Sequence, residues 1–400
     1  MKISKRIGAI NASPTLAMAA KAQQLKAEGV DVISMSLGEP DFATPDHVKQ
    51  AVKDAVDANF SHYGPVPGQP GLRAAVADYM SKTIDPAHRY EAKDVVVSVG
   101  AKQAICEAIE AIIDPGDEVL LPTPCWVSYQ EMVKLAEGTP VDVPTTLKDN
   151  FKLTPEALEK AITDKTKLIL LCSPSNPTGS VYTRAEIRAL ADVLLRHPDI
   201  ALIADEVYQE ICYTDEFASW GEITELHDRL IVISAVSKAY AMTGYRIGWL
   251  VCKNAAFIKA VTRLQGQAIT CATMVAQKAA EAALRDDQQC VRDMTAAFRR
   301  RRDLIVRLAR EIPGLRFETP DGAFYLFPDA TYYFGKSTPD GKKITDMDGL
   351  CEYILTEGHV ATVSGAAFGE PTCFRMSYAM ADEQIIECMK RIKACLSKLQ

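Results

Sequence analysis

The chain has 400 residues, and its 45 Lys and Arg against 52 Asp and Glu give a formal net charge of −7. This length suits about two to three domains and a core large enough to need no disulfide or metal. Hydrophobic residues make up 48% and charged residues 24%, which excludes a disordered or fibrous chain. The acidic balance argues against nucleic-acid binding through bulk charge, although it leaves room for a local cationic pocket.

Cysteine usage and the amino terminus predict a cytoplasmic protein. The 11 cysteines are odd in number and include no Cys-x-x-Cys pair, so neither a disulfide framework nor a metal site is expected. The opening MKISKRIGAINASP is basic but lacks the apolar segment of a secretory signal. Apolar stretches such as Leu168 to Cys172 have the length of a strand and are too short to span a membrane.

In chain order, Ser13-Pro14 and Thr44-Pro45 predict two helix starts. The first three predicted helices are 14–28, 45–58 and 70–81. Apolar β-branched runs then alternate with helical patterns, which is typical of an α/β fold with a buried, mainly parallel sheet. The predicted strands are 95–99, 118–121, 139–143, 168–172, 200–204, 230–234 and 247–251, and the helices between them are 102–113, 126–135, 155–161 and 184–196.

The pattern changes in the last third of the chain. A long helix is predicted from Ala272 to about Glu311, and the short strands and helices that follow indicate a smaller α+β domain; they are 322–327, 373–377, 347–357 and 382–398. We therefore predict three parts. They are a segment 1–45 packed with the small domain, a large domain 46–285 and a small domain 286–400.

One lysine is a candidate for covalent chemistry. Lys238 lies just beyond the apolar strand 230–234, in the segment Ser234-Ala-Val-Ser-Lys-Ala-Tyr. A lysine at a buried strand end can have a lowered pKa and form a Schiff base. Arg246 follows eight residues later, and its planar guanidinium can bind a phosphate with two hydrogen bonds. Taken alone, such a lysine is more often a solvated loop residue.

Three other segments place polar groups at predicted strand ends. Asp205 directly follows strand 200–204, and Asn176 lies in a Pro-rich turn after strand 168–172. Ligand sites of open α/β sheets form at the carboxyl ends of the strands. Gly100 lies between a strand and a helix, where backbone N–H groups can bind an anion. Each segment taken alone also fits a turn, a helix cap or an ion pair.

Together, in this order and spacing, the segments resemble the class I (aspartate aminotransferase) group of fold type I pyridoxal-phosphate enzymes, and the opening SLGEPDF and the segment MTGYRIG are most similar to the bacterial Ib-type branch. The resemblance implies an α/β fold with a mainly parallel seven-stranded sheet in the large domain and a smaller α+β domain. It covers nearly the whole chain, and its other matching pieces are His62-Tyr-Gly-Pro65, Pro124-Cys-Trp-Val-Ser-Tyr129, Ser175-Asn-Pro-Thr-Gly179, Asp205-Glu-Val-Tyr208, Gly322-Ala-Phe-Tyr325 and Phe374-Arg-Met-Ser-Tyr378.

The resemblance implies a pyridoxal 5'-phosphate site in which Lys238 is the catalytic residue and holds the cofactor as an internal aldimine. Asp205 is then expected at the pyridine nitrogen, where it keeps the ring protonated. The other implied cofactor contacts are Asn176 and Tyr208 at the ring 3-oxygen, Trp126 stacked on the ring, and Gly100, Ala101, Lys102, Ser237 and Arg246 around the phosphate. Family members carry a phosphate-binding serine three positions before the lysine, where this chain has Ala235, so Ser237 is the candidate replacement.

The resemblance also implies how the substrate and a second subunit contribute. Arg375 matches the arginine that binds the substrate α-carboxylate, with Gly38, Trp126 and Asn176 beside it. Lys102 matches the cation for a distal carboxylate, and Thr15 lies in a segment that could close over the site. Tyr63 is expected to reach the phosphate in a neighbouring subunit, which implies a homodimer with shared active sites.

The resulting hypothesis is an aspartate:2-oxoglutarate aminotransferase that yields oxaloacetate and glutamate by ping-pong kinetics. The alternative is an aminotransferase of the same fold that acts on prephenate, aromatic amino acids or alanine. Two other classes are disfavoured. The negative net charge argues against a DNA-binding regulator, and a dinucleotide-binding dehydrogenase would carry Gly-x-Gly-x-x-Gly after its first strand. No nucleic-acid or membrane partner is expected.

Overall fold

A computed structural model describes residues 1–215 and 217–400. The strands in chain order are β1 (Ile33–Ser34), β2 (Val95–Ser98), β3 (Glu118–Thr123), β4 (Thr139–Pro144), β5 (Thr166–Cys172), β6 (Ala201–Asp205), β7 (Leu230–Ala235), β8 (Gly248–Val251), β9 (Tyr325–Leu326), β10 (Val360–Ala361), β11 (Val363–Ser364) and β12 (Phe374–Ser377). The helices are α1 (Lys5–Gly8), α2 (Pro14–Ala27), α3 (Asp46–Asp57), α4 (Pro70–Met80), α5 (Ala101–Ile112), α6 (Ser128–Leu135), α7 (Pro155–Ala161), α8 (Arg184–Arg196), α9 (Val236–Ala239), α10 (Ala255–Ala268), α11 (Met274–Arg285), α12 (Gln289–Arg310), α13 (Met347–Gly358) and α14 (Asp382–Leu396).

The central feature is a seven-stranded sheet in the order β2-β8-β7-β6-β5-β3-β4. Strand β8 runs antiparallel to both of its neighbours, and the other pairs are parallel. The middle strands consist almost wholly of buried apolar residues, as in LIVISA of β7. Such strands form where helices cover both faces of a sheet. The prediction of a mainly parallel seven-stranded sheet is confirmed.

Alternate residues of the central strands enter two separate hydrophobic clusters. In β6, Leu202 belongs to one cluster and Ile203 to the other, and in β7 Val232 and Ile233 divide in the same way. This follows from the two-residue side-chain period of a strand. The sheet is therefore fixed between two apolar layers, so that its strand ends have defined positions.

A third hydrophobic cluster joins α12, α13 and α14 to β9 and β12 and includes Phe298, Ile354 and Ile385. It also takes in Met35, from the segment between α2 and α3. Strand β1 pairs with β10. The division of the chain at residues 45 and 285 stays a prediction. Within the described residues, no helix combines the length and apolar character needed to cross a bilayer.

The helix predicted from Ala272 to Glu311 is wrong, because the structure forms two helices, α11 and α12. Asp286 adopts extended backbone angles at the break. The side-chain amide of Gln288 donates hydrogen bonds to the carbonyl groups of Ala283 and Asp286, which satisfies the end of α11. The helix predicted at 126–135 begins at Ser128. Helix α10 and the short strands β1, β10 and β11 were not predicted.

Truncation of Ile203 tests the two-layer packing. Ile203 is fully buried, so Ile203→Ala should lower the free energy of unfolding by about 2–5 kcal/mol, through lost burial and a residual cavity. Urea denaturation followed by circular dichroism measures the change. The matched control is Ile386→Ala on α14, where the isoleucine is 47% exposed, and its effect should stay within about 0.5 kcal/mol. Equal effects of both changes would contradict the packing.

Candidate active site

A cavity of about 600 Å³ lies at the carboxyl ends of β5, β6 and β7 and beside the start of α5. This is the edge at which open α/β sheets bind ligands. The predicted site residues that line the cavity are Thr15, Gly38, Ala101, Lys102, Trp126, Asn176, Asp205, Tyr208, Ser237, Lys238, Arg246 and Arg375.

Lys238 lies in the short helix α9 directly after β7. Its Nζ donates a hydrogen bond to the Gly38 carbonyl oxygen at 2.5 Å. Burial lowers the pKa of Lys238 to about 8; the Glu39 carboxylate opposes this change, and the Arg375 and Arg246 cations add to it. An amine with this pKa is partly neutral near pH 7, so it can act as a nucleophile or a base.

Asp205 ends β6 and is 4% exposed. Its Oδ2 accepts a hydrogen bond from the Tyr129 hydroxyl at 2.6 Å, and its Oδ1 accepts one from the Val207 N–H at 3.1 Å. Burial raises the pKa of Asp205, whereas these two hydrogen bonds lower it. These hydrogen bonds hold the carboxyl group in place at the cavity wall, where it can accept a hydrogen bond from a protonated ring nitrogen.

Arg375 on β12 is 3% exposed. It donates hydrogen bonds to Asn176 Oδ1 at 2.9 Å and to the Ser36 carbonyl at 2.7 Å. Its guanidinium carbon lies 4.6 Å from the Tyr325 ring centroid and 4.9 Å from that of Phe368. Within the described residues, its Nε has no hydrogen-bond partner. A buried, incompletely paired guanidinium that lines a cavity is suited to bind a carboxylate.

The corner formed by Gly100 and Arg246 carries positive charge. Gly100 has a φ of +82°, and a Cβ there would lie 2.5 Å from Arg246 Nη2. The positive φ favours glycine here, and the absent Cβ leaves room for the guanidinium beside the backbone. Helix α5 begins at the next residue, Ala101, so its N-terminal N–H groups face the same corner. Arg246 also donates to the Thr243 carbonyl at 2.7 Å. A helix N-terminus combined with a cation suits an anion.

Lys102 lies one residue further along α5, with Nζ 4.9 Å from the Trp126 ring centroid. Burial lowers the pKa of Lys102, and the Arg246 cation lowers it further. Ala235 is buried at the end of β7, and its methyl group cannot donate a hydrogen bond. Ser237, two residues on, lines the cavity. Its predicted role as a replacement stays a prediction.

Two predicted residues lie at the edge of this arrangement or outside it. Tyr63 does not line the cavity and is 90% exposed, so its predicted contact with a second subunit stays a prediction. Thr15 lines the cavity, and its hydroxyl lies 2.8 Å from that of Ser13. The segment before it is attached to α6 by hydrogen bonds from Asn11 to Glu131.

Sequence reasoning missed Tyr129, Tyr325 and Glu39. Tyr129 contacts Asp205, and the Tyr325 hydroxyl lies 2.8 Å from that of Tyr208. Glu39 accepts a hydrogen bond from the Thr243 hydroxyl at 3.0 Å. Each residue is part of a motif quoted for the resemblance, so the segment was known although the role of the side chain was not.

Comparisons with known proteins identify the family of the chain. The family model "Aminotransferase class I and II" matches residues 30–392. The chain belongs to this family. An aspartate/prephenate aminotransferase of Cereibacter sphaeroides is 43% identical over 98% of both chains. An aspartate aminotransferase of Streptomyces avermitilis is 44% identical over 99% of this chain and 97% of the relative.

Solved structures of the family have the same fold. The aspartate aminotransferase from Rhizobium meliloti superposes with a TM-score of 0.96 at 40% identity over 100% of both chains. The Thermus thermophilus enzyme with maleate gives 0.91 at 36% identity over 99% of this chain and 100% of that one. The predicted fold type and aminotransferase class are confirmed.

Pyridoxal 5'-phosphate is the cofactor of this family, and the residues of the cavity fit it. The corner formed by Gly100 and Arg246 has the positive charge that a phosphate requires. Lys238 offers an amine with a lowered pKa, and Asp205 offers a buried carboxyl for a ring nitrogen. Arg375 lines the same cavity with a buried guanidinium that suits a substrate anion.

Replacement of Tyr129 by Phe tests how Asp205 is held. Loss of the hydroxyl removes a hydrogen bond to a buried carboxylate, so we expect cofactor affinity to decrease about tenfold. The dissociation constant is measured by titrating the apoprotein with pyridoxal 5'-phosphate and following absorbance. The control is Tyr90→Phe, since Tyr90 is buried and its hydroxyl has no hydrogen-bond partner in the described residues. Unchanged affinity in Tyr129→Phe would contradict the assignment.

Proposed function

We propose that this chain transfers an amino group from L-aspartate to 2-oxoglutarate by ping-pong kinetics and produces oxaloacetate and L-glutamate. The observation that carries the proposal is the grouping of Arg375 and Lys102 in one cavity with Lys238. Two cations suit a substrate with two carboxylates. Relatives named aspartate aminotransferase, at 42% and 44% identity over 99% of this chain, support the same conclusion.

Pyridoxal 5'-phosphate, when bound, supplies an aldehyde that joins amines and a ring that withdraws electrons. The protein must then place a base near the substrate Cα. Lys238 is the proposed base, because its pKa of about 8 leaves part of the amine neutral near pH 7. Its Nζ takes the proton from the substrate Cα.

The other cavity residues bind and orient. Arg246 and the start of α5 would hold the cofactor phosphate, and Asp205, supported by Tyr129, would hold the pyridine nitrogen. Arg375 would bind the substrate α-carboxylate through its fork of N–H groups. Since Asn176 and Ser36 fix the guanidinium, it would hold the substrate in one orientation in the cavity that Lys238 also lines.

We also propose a cytoplasmic homodimer with shared sites. The exposed Tyr63 is the residue expected to enter the neighbouring subunit. The cysteines at all 11 positions are free thiols, which is usual in a reducing compartment.

A second candidate is transamination of prephenate. The Cereibacter sphaeroides relative is named aspartate/prephenate aminotransferase. Prephenate carries two carboxylates, as aspartate does, and in addition a six-membered ring. The cavity presents the apolar side chains of Leu16 and Leu37, which are 67% and 50% exposed. These can contact a ring beside the cationic groups.

Half-reactions test the proposed function directly. The purified holoenzyme is mixed with one amino acid at a time, and absorbance follows conversion of the cofactor to its amine form. We expect aspartate and glutamate to convert it rapidly, and Lys238→Ala to convert it with neither. The control is Lys148→Ala, because Lys148 is exposed and lies outside the cavity. Turnover by Lys238→Ala, or no conversion by aspartate, would contradict the proposal.

Substitution of Lys102 by Ala tests dicarboxylate specificity. Loss of a charged partner for the distal carboxylate should lower kcat/KM for aspartate by about ten- to hundredfold. The value for phenylalanine, which lacks that carboxylate, should change less than about threefold. Steady-state kinetics with both amino donors measures the two ratios. An equal loss for both substrates would assign Lys102 to the cofactor alone.

A further inference from the structure

A buried polar network lies behind the turn that is proposed to bind the cofactor phosphate. It joins Ser98, at the end of β2, to Glu107 on α5 and Gln265 on α10. Ser98 and Gln265 are 0% exposed and Glu107 is 3% exposed. None of these three side chains lines the candidate active-site cavity. A buried carboxyl group requires hydrogen bonds or loss of its charge.

The orientation of the Gln265 amide is fixed by backbone carbonyl groups. Its Nε2 donates to the carbonyl oxygens of Val66 at 2.5 Å and Val97 at 3.0 Å. The opposite orientation would place an oxygen against two carbonyl oxygens, so it is excluded. Gln265 Oε1 therefore faces Ser98 Oγ, at 3.0 Å. Because an amide oxygen only accepts, the Ser98 hydroxyl must donate to it.

The orientation of Gln103 is fixed in the same way. Its Oε1 accepts a hydrogen bond from the Val99 N–H at 2.7 Å, so its Nε2 donates to Glu107 Oε1 at 3.0 Å. Glu107 Oε1 is thus an acceptor. The other carboxyl oxygen, Oε2, lies 2.9 Å from Ser98 Oγ.

Counting protons then assigns the state of Glu107. Ser98 has one hydroxyl proton, which is committed to Gln265. The short contact between Ser98 Oγ and Glu107 Oε2 is a hydrogen bond only if Glu107 donates. We propose that Glu107 is a neutral carboxylic acid whose proton positions the phosphate-binding turn 98–101. The same proton ties this turn, through Gln265, to the backbone carbonyl of Val66. This inference rests on the proposed function of that turn.

The electrostatic surroundings agree with the proton count. Burial raises the pKa of Glu107 to about 7. The facing groups on β2 and α10 are the neutral Ser98 and Gln265. In the described part of the chain, the ionisable groups that act on it lie on its own helix: Glu110 raises its pKa, and the neighbouring Cys106 stays a neutral thiol because its own pKa is about 12.

Ionisation of Glu107 has a defined consequence. The Ser98 hydroxyl must then donate to the carboxylate, which leaves Gln265 Oε1 without its donor. The network is complete at low pH and is lost as pH rises through about 7. Free Glu ionises near 4.5, so between about 4.5 and 7 the folded state binds one proton more than the unfolded state. The contribution of Glu107 to stability therefore decreases across this range.

Glu107→Gln is the test variant, because its amide can donate to Ser98 and accept from Gln103 without ionising. We expect wild type and variant to release pyridoxal 5'-phosphate at equal rates at pH 6. At pH 8.5 the wild type should release it about three- to tenfold faster. The rates are measured on diluted holoenzyme in phosphate-free buffer from loss of the bound-cofactor absorbance. A rate ratio that stays constant from pH 6 to 8.5 would overturn the proposal.

The matched control is Glu110→Gln, which removes a charge one turn away, on an exposed side chain outside the network. It should keep the pH dependence of the wild type, with the midpoint moved slightly to lower pH. Thermal unfolding gives a second readout that does not depend on the cofactor. Glu107→Gln should melt above the wild type at pH 8 and no higher at pH 5. A melting difference that is the same at both pH values would overturn the proposal.

Infrared difference spectra of wild type against Glu107→Gln detect the proton itself. We expect a protonated-carboxyl C=O band at pH 6 that disappears above pH 8. A carboxylate band already at pH 6 would overturn the proposal. These outcomes are distinct from failure of the proposed function, which would appear as absent cofactor binding or absent conversion by aspartate while the infrared band stayed unchanged.

Discussion

Burial of charged groups at the carboxyl edge of the sheet is the constraint on which the rest of the structure depends. The middle strands are covered on both faces, so Asp205 and Lys238, at the ends of β6 and β7, enter a region with little water. There, desolvation lowers the pKa of the lysine and raises that of the aspartate. Both changes favour the neutral forms. The Glu39 carboxylate limits the decrease in the lysine pKa, and the Tyr129 hydroxyl limits the increase in the aspartate pKa. Fold and chemistry are thus joined, because the packing that stabilises the sheet also sets the protonation of its ends.

At the corner formed by Gly100 and Arg246, close backbone packing constrains the site as well as burial of charge. Gly100 and Arg246 both have positive φ angles, of +82° and +55°. Gly248 comes so close to α5 that a Cβ would lie 2.4 Å from the Ala101 nitrogen. These close approaches fix the positions of the start of α5, the Arg246 guanidinium and strand β8 relative to one another. Such rigidity benefits a site that must hold an anion in a fixed position.

Most of the fold could be predicted, because the spacing of apolar residues and the Gly and Pro residues that end helices and strands are local signals. The seven strands were placed within about two residues of their ends. The break between α11 and α12 was missed, because the segment Arg285-Asp-Asp-Gln288 contains no Gly or Pro to mark it, and the Gln288 side chain instead satisfies the end of α11. In the site, motif order located Lys238, Asp205 and Arg375. Tyr129 was overlooked, since a tyrosine that binds a carboxylate cannot be distinguished by sequence from one that fills a core.

The proposed protonation state of Glu107 could not be predicted from any sequence motif. In the sequence, Glu107 is one of two glutamates on the amphipathic helix α5. Its state follows only when the directions of several hydrogen bonds are traced from groups with no freedom, namely the carbonyls of Val66 and Val97 and the N–H of Val99. Lys238 reaches a partly neutral state by desolvation near other cations, whereas Glu107 is assigned a neutral state by satisfied geometry. The site therefore combines a proton that must move, at Lys238, with one that must stay, at Glu107.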